Sequence, residues 1–314
     1  MKLALCPRRS GLAWLVGLML PMLLLTTTDI AVASTGAPSS SGALQMIGSG
    51  SCGARPTLVR KTFPAIPNLD NTFLPLVPGM QFILDGLVIG PDGLRHPHRT
   101  ETTVTNLTKV IDGVRTIVVF DVDIQDGVIA ESEIFFQAQD MHGTVWLLGE
   151  YPEEWDNGRL TGAPSAWLSG VLGGHAGITM LANPQVGAPT YIQGLARRVG
   201  FFDCATVFRV DEQTCVPVSC YDNVLVTDEF SPLDPAGGHQ RKFYAPGVGN
   251  VRVSAAGGVD PETLKLTRAS VLCGDAFERV RWAAQRQDRR AYRIAPDVYG
   301  STLPAEATLS AADC

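Results

Sequence analysis

Two adjacent stretches of the chain alternate hydrophobic and polar positions with a period of two. This period is typical of β-strands, because successive side chains point to opposite faces of a sheet. The alternating positions are Val114, Thr116, Val118, Phe120, Val122 and Ile124 in the first stretch and Val128, Ala130, Ser132, Ile134, Phe136 and Ala138 in the second. We predict two antiparallel strands joined by a tight turn.

Residue pairs that end in glycine punctuate the chain and predict further hairpin turns. They stand at 85–86, 92–93, 112–113, 126–127, 142–143 and 157–158. Later strands are predicted at 205–210, 222–230, 240–245, 249–254 and 263–270. Residues 159–200 are rich in Gly, Ala and Pro and have weaker periodicity, so we expect a long loop excursion there. Residues 275–290 have helix-forming composition and helical spacing of apolar positions.

The turn at Asp126-Gly127 determines which side chains meet across the predicted hairpin. Paired residues of an antiparallel ladder point to the same side, and a two-residue turn would pair even positions with odd ones. A three-residue loop over 125–127 avoids that mixture and places Val118 opposite Ile134, with Gly127 in the left-handed conformation. We predict this register, in which Asp121 faces Glu131.

Strand segments outnumber helices, which favours a mainly antiparallel β fold. We expect a partly open barrel or a curved sheet or sandwich, with one C-terminal helix. The predicted divisions are a signal peptide at 1–33, a flexible Ser/Gly/Ala-rich lead-in at 34–67, a β-rich domain at 68–272, and a helix with a disulfide-tethered tail at 273–314.

The N-terminus has the pattern of a cleavable signal peptide. Lys2, Arg8 and Arg9 precede an apolar run from Leu12 to Leu25, and 31–33 (Ala-Val-Ala) fits a cleavage site. The run is short for a membrane span, which takes about 20 residues, although a retained signal anchor is the alternative. We predict a secreted or periplasmic protein with no membrane span after cleavage.

The charge of the chain argues against one class of partner. The full chain has a formal net charge of −6, and removal of the signal peptide makes it more negative. Because proteins bind nucleic acid largely by neutralising phosphates with basic side chains, we expect no nucleic-acid partner.

Cysteine usage fits an oxidising compartment. Cys6 leaves with the signal peptide, and the even number that remains favours disulfides in an exported chain. The candidates are Cys52, Cys204, Cys215, Cys220, Cys273 and Cys314. We expect at least two bridges. Cys215 and Cys220 are close enough to span a short loop, and a bridge at Cys314 would tie down the tail.

Three segments resemble motifs of a known family. Residues 71–79 (N-T-F-L-P-L-V-P-G) resemble an N-x-x-F-x-P-L-x-P-G opening with one position fewer after the asparagine. Residues 138–150 resemble A-Q-D-x-x-G-x-V-W-x-x-G-E, and residues 243–249 resemble an F-Y-A-P-G-V-G hairpin. Together they look like a family of bacterial secreted proteins and lipoproteins of unknown function. The resemblance spans roughly residues 68–270 and implies export and a β-rich fold, without an activity.

The sharpest candidate site is an acidic hairpin formed by Asp121, Asp123, Glu131 and Glu133. Like charges that face each other across strands destabilise a ladder, and a calcium ion would reverse that effect because it takes several carboxylate oxygens. The same carboxylates could instead supply an acid and a base for catalysis. The alternative is a solvated acidic face with Lys109 or Arg115 nearby.

Two other groups of residues are weaker candidates for a ligand or metal site. His96 and His98 lie two residues apart in an extended segment and could be part of a metal site, although Pro97 is also typical of an exposed loop. Asp140 and Glu150 flank Trp146 and could suit a sugar ligand, although Asp140 is equally placed to start the turn 140–143.

Two function classes follow from these candidates. The first is a non-enzymatic ligand-binding or envelope-associated module that holds a small or apolar ligand on the concave side of the sheet. The second is a secreted hydrolase that uses the acidic hairpin, with or without a metal. A pocket with convergent carboxylates and a histidine would favour the enzyme.

Overall fold

The computed structural model describes residues 52–90, 92–259 and 261–310. Its strands are β1 (Met80–Ile89), β2 (Arg95–Ile111), β3 (Val114–Gln125), β4 (Val128–Gln139), β5 (Val145–Asp156), β6 (Arg159–Gly162), β7 (Trp167–Leu168), β8 (His175–Met180), β9 (Tyr191–Ala196), β10 (Phe201–Cys215), β11 (Cys220–Phe230), β12 (His239–Ala245), β13 (Gly249–Ala256), β14 (Glu262–Val271) and β15 (Glu306–Ala307). The α-helices are α1 (Gly274–Ile294) and α2 (Pro296–Tyr299), and short 3-10 helices span Arg60–Thr62, Arg197–Val199 and Pro235–Gly237.

Twelve of the described strands form one closed antiparallel barrel. The order is β1-β14-β13-β12-β11-β10-β9-β8-β5-β4-β3-β2, and β1 also pairs with β2. Three short strands lie outside the barrel: β15 pairs with β2, and β6 and β7 pair with β5. The predicted mainly antiparallel β fold with one C-terminal helix is confirmed, and the barrel is closed.

Closure brings two strands of the barrel very near each other at Gly86. A Cβ built on Gly86 would lie 1.7 Å from the carbonyl oxygen of Thr263 on β14, so only glycine permits this approach. The predicted turn at 85–86 is therefore wrong, because Gly86 serves close strand packing inside β1. The predicted turns at 112–113, 126–127 and 157–158 are confirmed, with positive φ at both residues of each pair.

The hairpin between β3 and β4 differs from the predicted register. Gln125 pairs with Val128, so the turn has two residues, and the register then shifts between Asp123 and Ile124. This irregularity restores the even-with-even pairing that the three-residue loop was meant to supply. Consequently Asp121 lies opposite Glu133, and Asp123 lies opposite Glu131.

The prediction of a long loop over 159–200 is wrong, because this region forms several strands. This region contains β6 to β9, and both β8 and β9 belong to the barrel. Glycines hide the strand pattern: a Cβ at Gly177 would meet the backbone of Gln193 at 2.3 Å. Strands that need glycine for close approach lose the alternation of side chains on which the prediction depends.

Helix α1 covers the outer face of the barrel. Val118, Ile134 and Phe136 of β3 and β4 pack in one cluster with Ala284 and Ala291 of the helix. Apolar side chains at even positions of this hairpin therefore face outward, towards the helix. By the alternation of strand side chains, the acidic odd positions face the barrel interior.

A buried ion pair joins helix α1 to strand β2. Lys109 Nζ lies 3.0 Å from Asp288 Oδ1, and neither side chain is exposed. The same ammonium donates to Tyr292 Oη at 2.7 Å and to the Leu303 carbonyl at 2.7 Å. Burial lowers the pKa of Lys109, while the charge of Asp288 favours the protonated form. Lys109 thus binds helix α1 and does not neutralise the carboxylates of the acidic hairpin.

The segment 69–76, called the plug here, crosses one end of the barrel. The Asn71 side chain donates to the carbonyls of Gly143 and Leu181, and Thr72 accepts from the Gly247 amide. These partners belong to three separate parts of the rim. Leu69 and Leu76 pack with apolar side chains from several barrel strands.

Two disulfides are present among the described residues, so the expectation of at least two is confirmed. Cys215 is bonded to Cys220 across a five-residue separation, as the spacing predicts. Cys52 is bonded to Cys204, which anchors the lead-in segment to β10. Cys314 lies outside the described residues.

Replacement of Lys109 by methionine should destabilise the protein by about 3–5 kcal/mol, because it leaves the Asp288 carboxylate buried without its cation. Urea unfolding followed by tryptophan fluorescence measures the change. The exposed pair of Arg198 and Asp297 supplies the control, and Arg198→Met should cost less than about 1 kcal/mol. Equal effects of the two substitutions would contradict the assignment.

Candidate functional site

The barrel encloses a cavity of about 290 Å³. Its walls carry eight carboxyl groups, one lysine and one histidine, together with a set of apolar side chains. The carboxyl groups are Asp121, Asp123, Glu131, Glu133, Glu150, Asp203, Glu229 and Glu262. All four members of the predicted acidic hairpin therefore line the interior of the barrel. The alternative, a solvated acidic face, is wrong.

Strand register sorts the cavity walls into layers. Two layers hold facing carboxyl pairs, Asp123 with Glu131 and Asp121 with Glu133, and these are called the acidic layers. In the next layer towards the plug, Val119 pairs with Phe135. On this wall the carboxyl pairs lie towards the β3–β4 turn and the Val119–Phe135 pair lies nearer the plug, where Phe135 also pairs with Glu150 of β5.

His98 forms an ionic bridge across the cavity wall. Its Nε2 lies 2.7 Å from Asp123 Oδ2, and its Nδ1 is paired with Glu262 on β14. Burial alone would lower the pKa of His98, but the hydrogen bonds and charges of the two carboxylates raise it to about 10. The imidazole is therefore a cation at neutral pH and ties β2 to both β3 and β14.

Lys242 is the second cation of the cavity, and sequence reasoning missed it. Its Nζ lies 2.8 Å from Glu229 Oε2. Burial would lower the pKa of Lys242, but Glu229, Asp203 and Glu262 raise it above its ordinary value. Alternation along 240–245 could have placed Lys242 on the same face as Tyr244. Nothing in the sequence shows that this face meets the hairpin 100 residues earlier in the chain.

Several cavity carboxyl groups have a pKa that is raised towards or above neutral pH. Burial raises the pKa of Asp121 to about 6 and that of Asp203 to about 7. Burial and neighbouring carboxylates raise the pKa of Glu131 and of Glu150 to about 8. The pKa of Glu133 is also raised well above its ordinary value, chiefly by burial. Ionisation of all of them at once would place many like charges in a region of low dielectric.

Glu131 has an unsatisfied oxygen in the cavity. Its side chain is 9% exposed, and Oε2 has no hydrogen-bond partner among the described residues. A buried acceptor without a donor costs free energy. Glu150, by contrast, accepts a hydrogen bond from Trp167 Nε1 at 3.2 Å.

The remaining predicted site residues are not all brought together. His96 lies at the rim, where its ring contacts Asp126 at 2.8 Å and Asp92 at 3.1 Å. Asp140 lies outside the cavity lining and starts the predicted turn, accepting from the amides of His142 and Thr144 and from Trp146 Nε1. Of the pairs proposed from sequence, only His98 and Glu150 line the cavity.

The described residues hold neither an arranged metal-binding group nor a helix that could span a membrane. No group of three or more His, Cys, Asp or Glu side chains in the described part of the chain is arranged to hold a metal ion. The calcium site at the acidic hairpin stays a prediction without support from the geometry. None of the described helices has the length and hydropathy to span a membrane.

Two solved structures are similar to this chain at low identity. One is a Bacteroides fragilis protein assigned as exported, with a YmcC-like fold, which is 14% identical to this chain. The alignment covers 64% of this chain and 99% of the Bacteroides chain, with a TM-score of 0.37. A Parabacteroides distasonis protein assigned as a lipoprotein is 12% identical, covers 64% of this chain and 99% of its own, and has a TM-score of 0.34. Similarity at this level carries no information about binding or activity.

Sequence comparison adds no family. No protein-family model and no curated protein match the chain. The family suggested by those motifs stays a prediction.

The raised pKa values predict that stability falls as the pH rises. Carboxyl groups with a raised pKa favour the folded state while protonated, so Glu131 and Glu150 lose their contribution between about pH 4.5 and pH 8. His98 acts in the same direction between about pH 6.5 and pH 10. Since one pKa unit corresponds to about 1.4 kcal/mol, the free energy of unfolding should fall by at least about 3 kcal/mol from pH 5 to pH 9.

Urea unfolding at several pH values measures this dependence. A double variant, Glu131→Gln with Glu150→Gln, should flatten the curve, because two of the titrating groups are gone while their shape remains. Stability that stays constant or rises over this range in the unmodified protein would contradict the raised pKa values.

Proposed function

We propose that this protein is an exported, non-enzymatic binding protein that takes one small ligand into the interior of its barrel. The observation that carries the proposal is the cavity of about 290 Å³ with both acidic and apolar walls. Small-molecule sites are concave, largely apolar and contain a few converging polar groups. A volume near 300 Å³ suits a small metabolite.

The proposed location rests on the N-terminal pattern and on the disulfides. The run Leu12 to Leu25, with basic residues before it, is typical of a secretion signal. The bridges Cys52–Cys204 and Cys215–Cys220 suit an oxidising compartment such as the periplasm or the exterior. The two lines of support are independent, because one lies in the signal and the other in the folded barrel.

The plug favours a single route of entry. It covers the end of the barrel that carries the turn at 140–144, with hydrogen bonds to three parts of that rim. A ligand would therefore enter from the end that carries the β3–β4 turn. On that route it passes the acidic layers before it reaches Phe135 and Leu147 nearer the plug.

A second candidate function is a secreted hydrolase. Convergent carboxyl groups and a histidine line the same cavity, and Glu150, with a pKa of about 8, is a protonated acid at neutral pH. A general acid beside ionised carboxylates is the arrangement that glycoside hydrolysis requires. The binding function is preferred because the sequence contains no strong catalytic signature, such as G-x-S-x-G or H-E-x-x-H.

Co-purification tests the binding function. The chain is expressed with its own N-terminus, purified from the periplasm or medium, denatured, and searched by mass spectrometry for released small molecules. One compound should appear in near-stoichiometric amount. Thr100→Phe, which fills the cavity, should abolish its recovery, because the added ring occupies the ligand's volume.

The matched control is Thr263→Phe, which adds the same ring at an exposed position of β14. It should retain the compound. Recovery that is equal from both variants would contradict binding inside the barrel. Turnover of a chromogenic glycoside that is lost in Glu150→Gln would favour the hydrolase instead.

A further inference from the structure

We infer that the ligand is a small organic cation, a primary or secondary amine with an apolar body, whose ammonium group binds Glu131 in the acidic layers. The inference deepens the proposed function and rests on it. Its apolar body would lie towards the plug, where the walls carry Phe135 and Leu147.

The unsatisfied oxygen of Glu131 favours a ligand that carries a hydrogen-bond donor. Oε2 is buried, faces the cavity and lacks a partner among the described residues. An ammonium group offers donors and a positive charge together, so it satisfies the oxygen and offsets the charge of the ionised carboxylate. An anionic ligand would find both cations of the cavity, His98 and Lys242, already paired with carboxylates.

The protein already places one ammonium group in this cavity. Lys242 Nζ binds Glu229, and Glu229 also accepts hydrogen bonds from Thr227 and Tyr244. The barrel interior therefore accommodates a primary ammonium beside a buried carboxylate and an aromatic ring. Glu131 lacks such an internal partner, which makes it the position left for a cation from outside.

The other walls favour an organic cation over a bare metal ion. No described group of three potential ligands is arranged for a metal, and the cavity is much larger than an ion. Phe82, Phe135 and Phe201 line it. Aromatic faces attract cations, and burial of the ligand's CH₂ groups stabilises the complex further.

Binding of an amine should release protons from the protein. Burial and several acidic neighbours raise the pKa of Glu131, and the acidic groups that act on it or line the cavity beside it are Asp121, Asp123, Glu133, Glu150 and Glu154. The cations of the same cavity are His98 and Lys242. Because both are already paired with other carboxylates, an incoming ammonium would stabilise ionised Glu131 and displace its proton.

Isothermal titration calorimetry on the purified exported protein tests the inference with three probes of equal chain length. These are n-hexylamine, 1-hexanol and hexanoate, titrated at pH 7.5 in phosphate and in Tris. Hexylamine should bind at least about tenfold more tightly than hexanol, and hexanoate should not bind. The heat for hexylamine should differ between the buffers, because Tris and phosphate take up released protons with different enthalpies.

Glu131→Gln should weaken hexylamine binding at least about tenfold, remove the difference between buffers and leave hexanol binding unchanged. The matched control is Glu101→Gln, which lies on the outer face of β2 beside Arg99 and should behave like the unmodified protein. Lys242→Met should change the affinity in the opposite direction. Because it leaves Glu229 without its cation, hexylamine should bind more tightly to this variant.

The outcomes separate the inference from the proposed function. If hexanol or hexanoate binds as tightly as hexylamine, the amine is not selected and the inference is overturned, while binding in the barrel stands. If none of the three probes binds, the inference is overturned, and the co-purification experiment decides the proposed function separately. Hexylamine binding that Glu131→Gln leaves intact also overturns the inference, because Glu131 is then not the partner.

Discussion

Pairing of β1 with both β14 and β2 is the constraint on which the rest of the structure depends. It joins the two ends of a long sheet and leaves the barrel without a free edge. Once the sheet is closed, one face of every barrel strand lies in an enclosed space and the other lies under helix α1 or in solvent. The glycine at 86 permits this pairing, since any side chain there would overlap the backbone of β14. The cavity, the ionic bridge through His98 and the buried carboxyl groups all follow from closure.

The negative charge of the interior carboxyl groups is reduced in two ways, by ion pairs and by protonation. His98 and Lys242 neutralise Asp123, Glu262 and Glu229 by direct contact. Groups without such a partner, of which Glu131 is the clearest, hold protons instead, since burial favours their neutral form. An interior of this kind would accommodate an added cation in place of protons, whereas both of its own cations are already paired with carboxylates. The same arrangement makes the ionisation of the cavity a property of the group as a whole.

Much of the fold was predictable from local patterns, whereas the site was only partly so. Alternation in β3 and β4 predicts both strands and places the four hairpin acids on one face, and the composition of 275–290 predicts helix α1. Alternation does not say which face is enclosed: here the apolar positions such as Ile134 and Phe136 lie outside, under the helix. Long-range partners such as Lys242 and Glu262 come from strands more than 100 residues away, and pairing across that separation leaves no local signal. The register error had a similar origin, since the irregularity beside Ile124 carries no mark in the sequence.

Closure also has a consequence for how the chain folds. The strand that completes the barrel, β14, ends at Val271, so its pairing with β1 cannot form until nearly the whole chain has been synthesised. Contacts this distant in sequence make folding slow. Until that step the acidic side chains of the future interior are in water and ionised, with ordinary acidities. Folding at neutral pH is therefore accompanied by the uptake of protons.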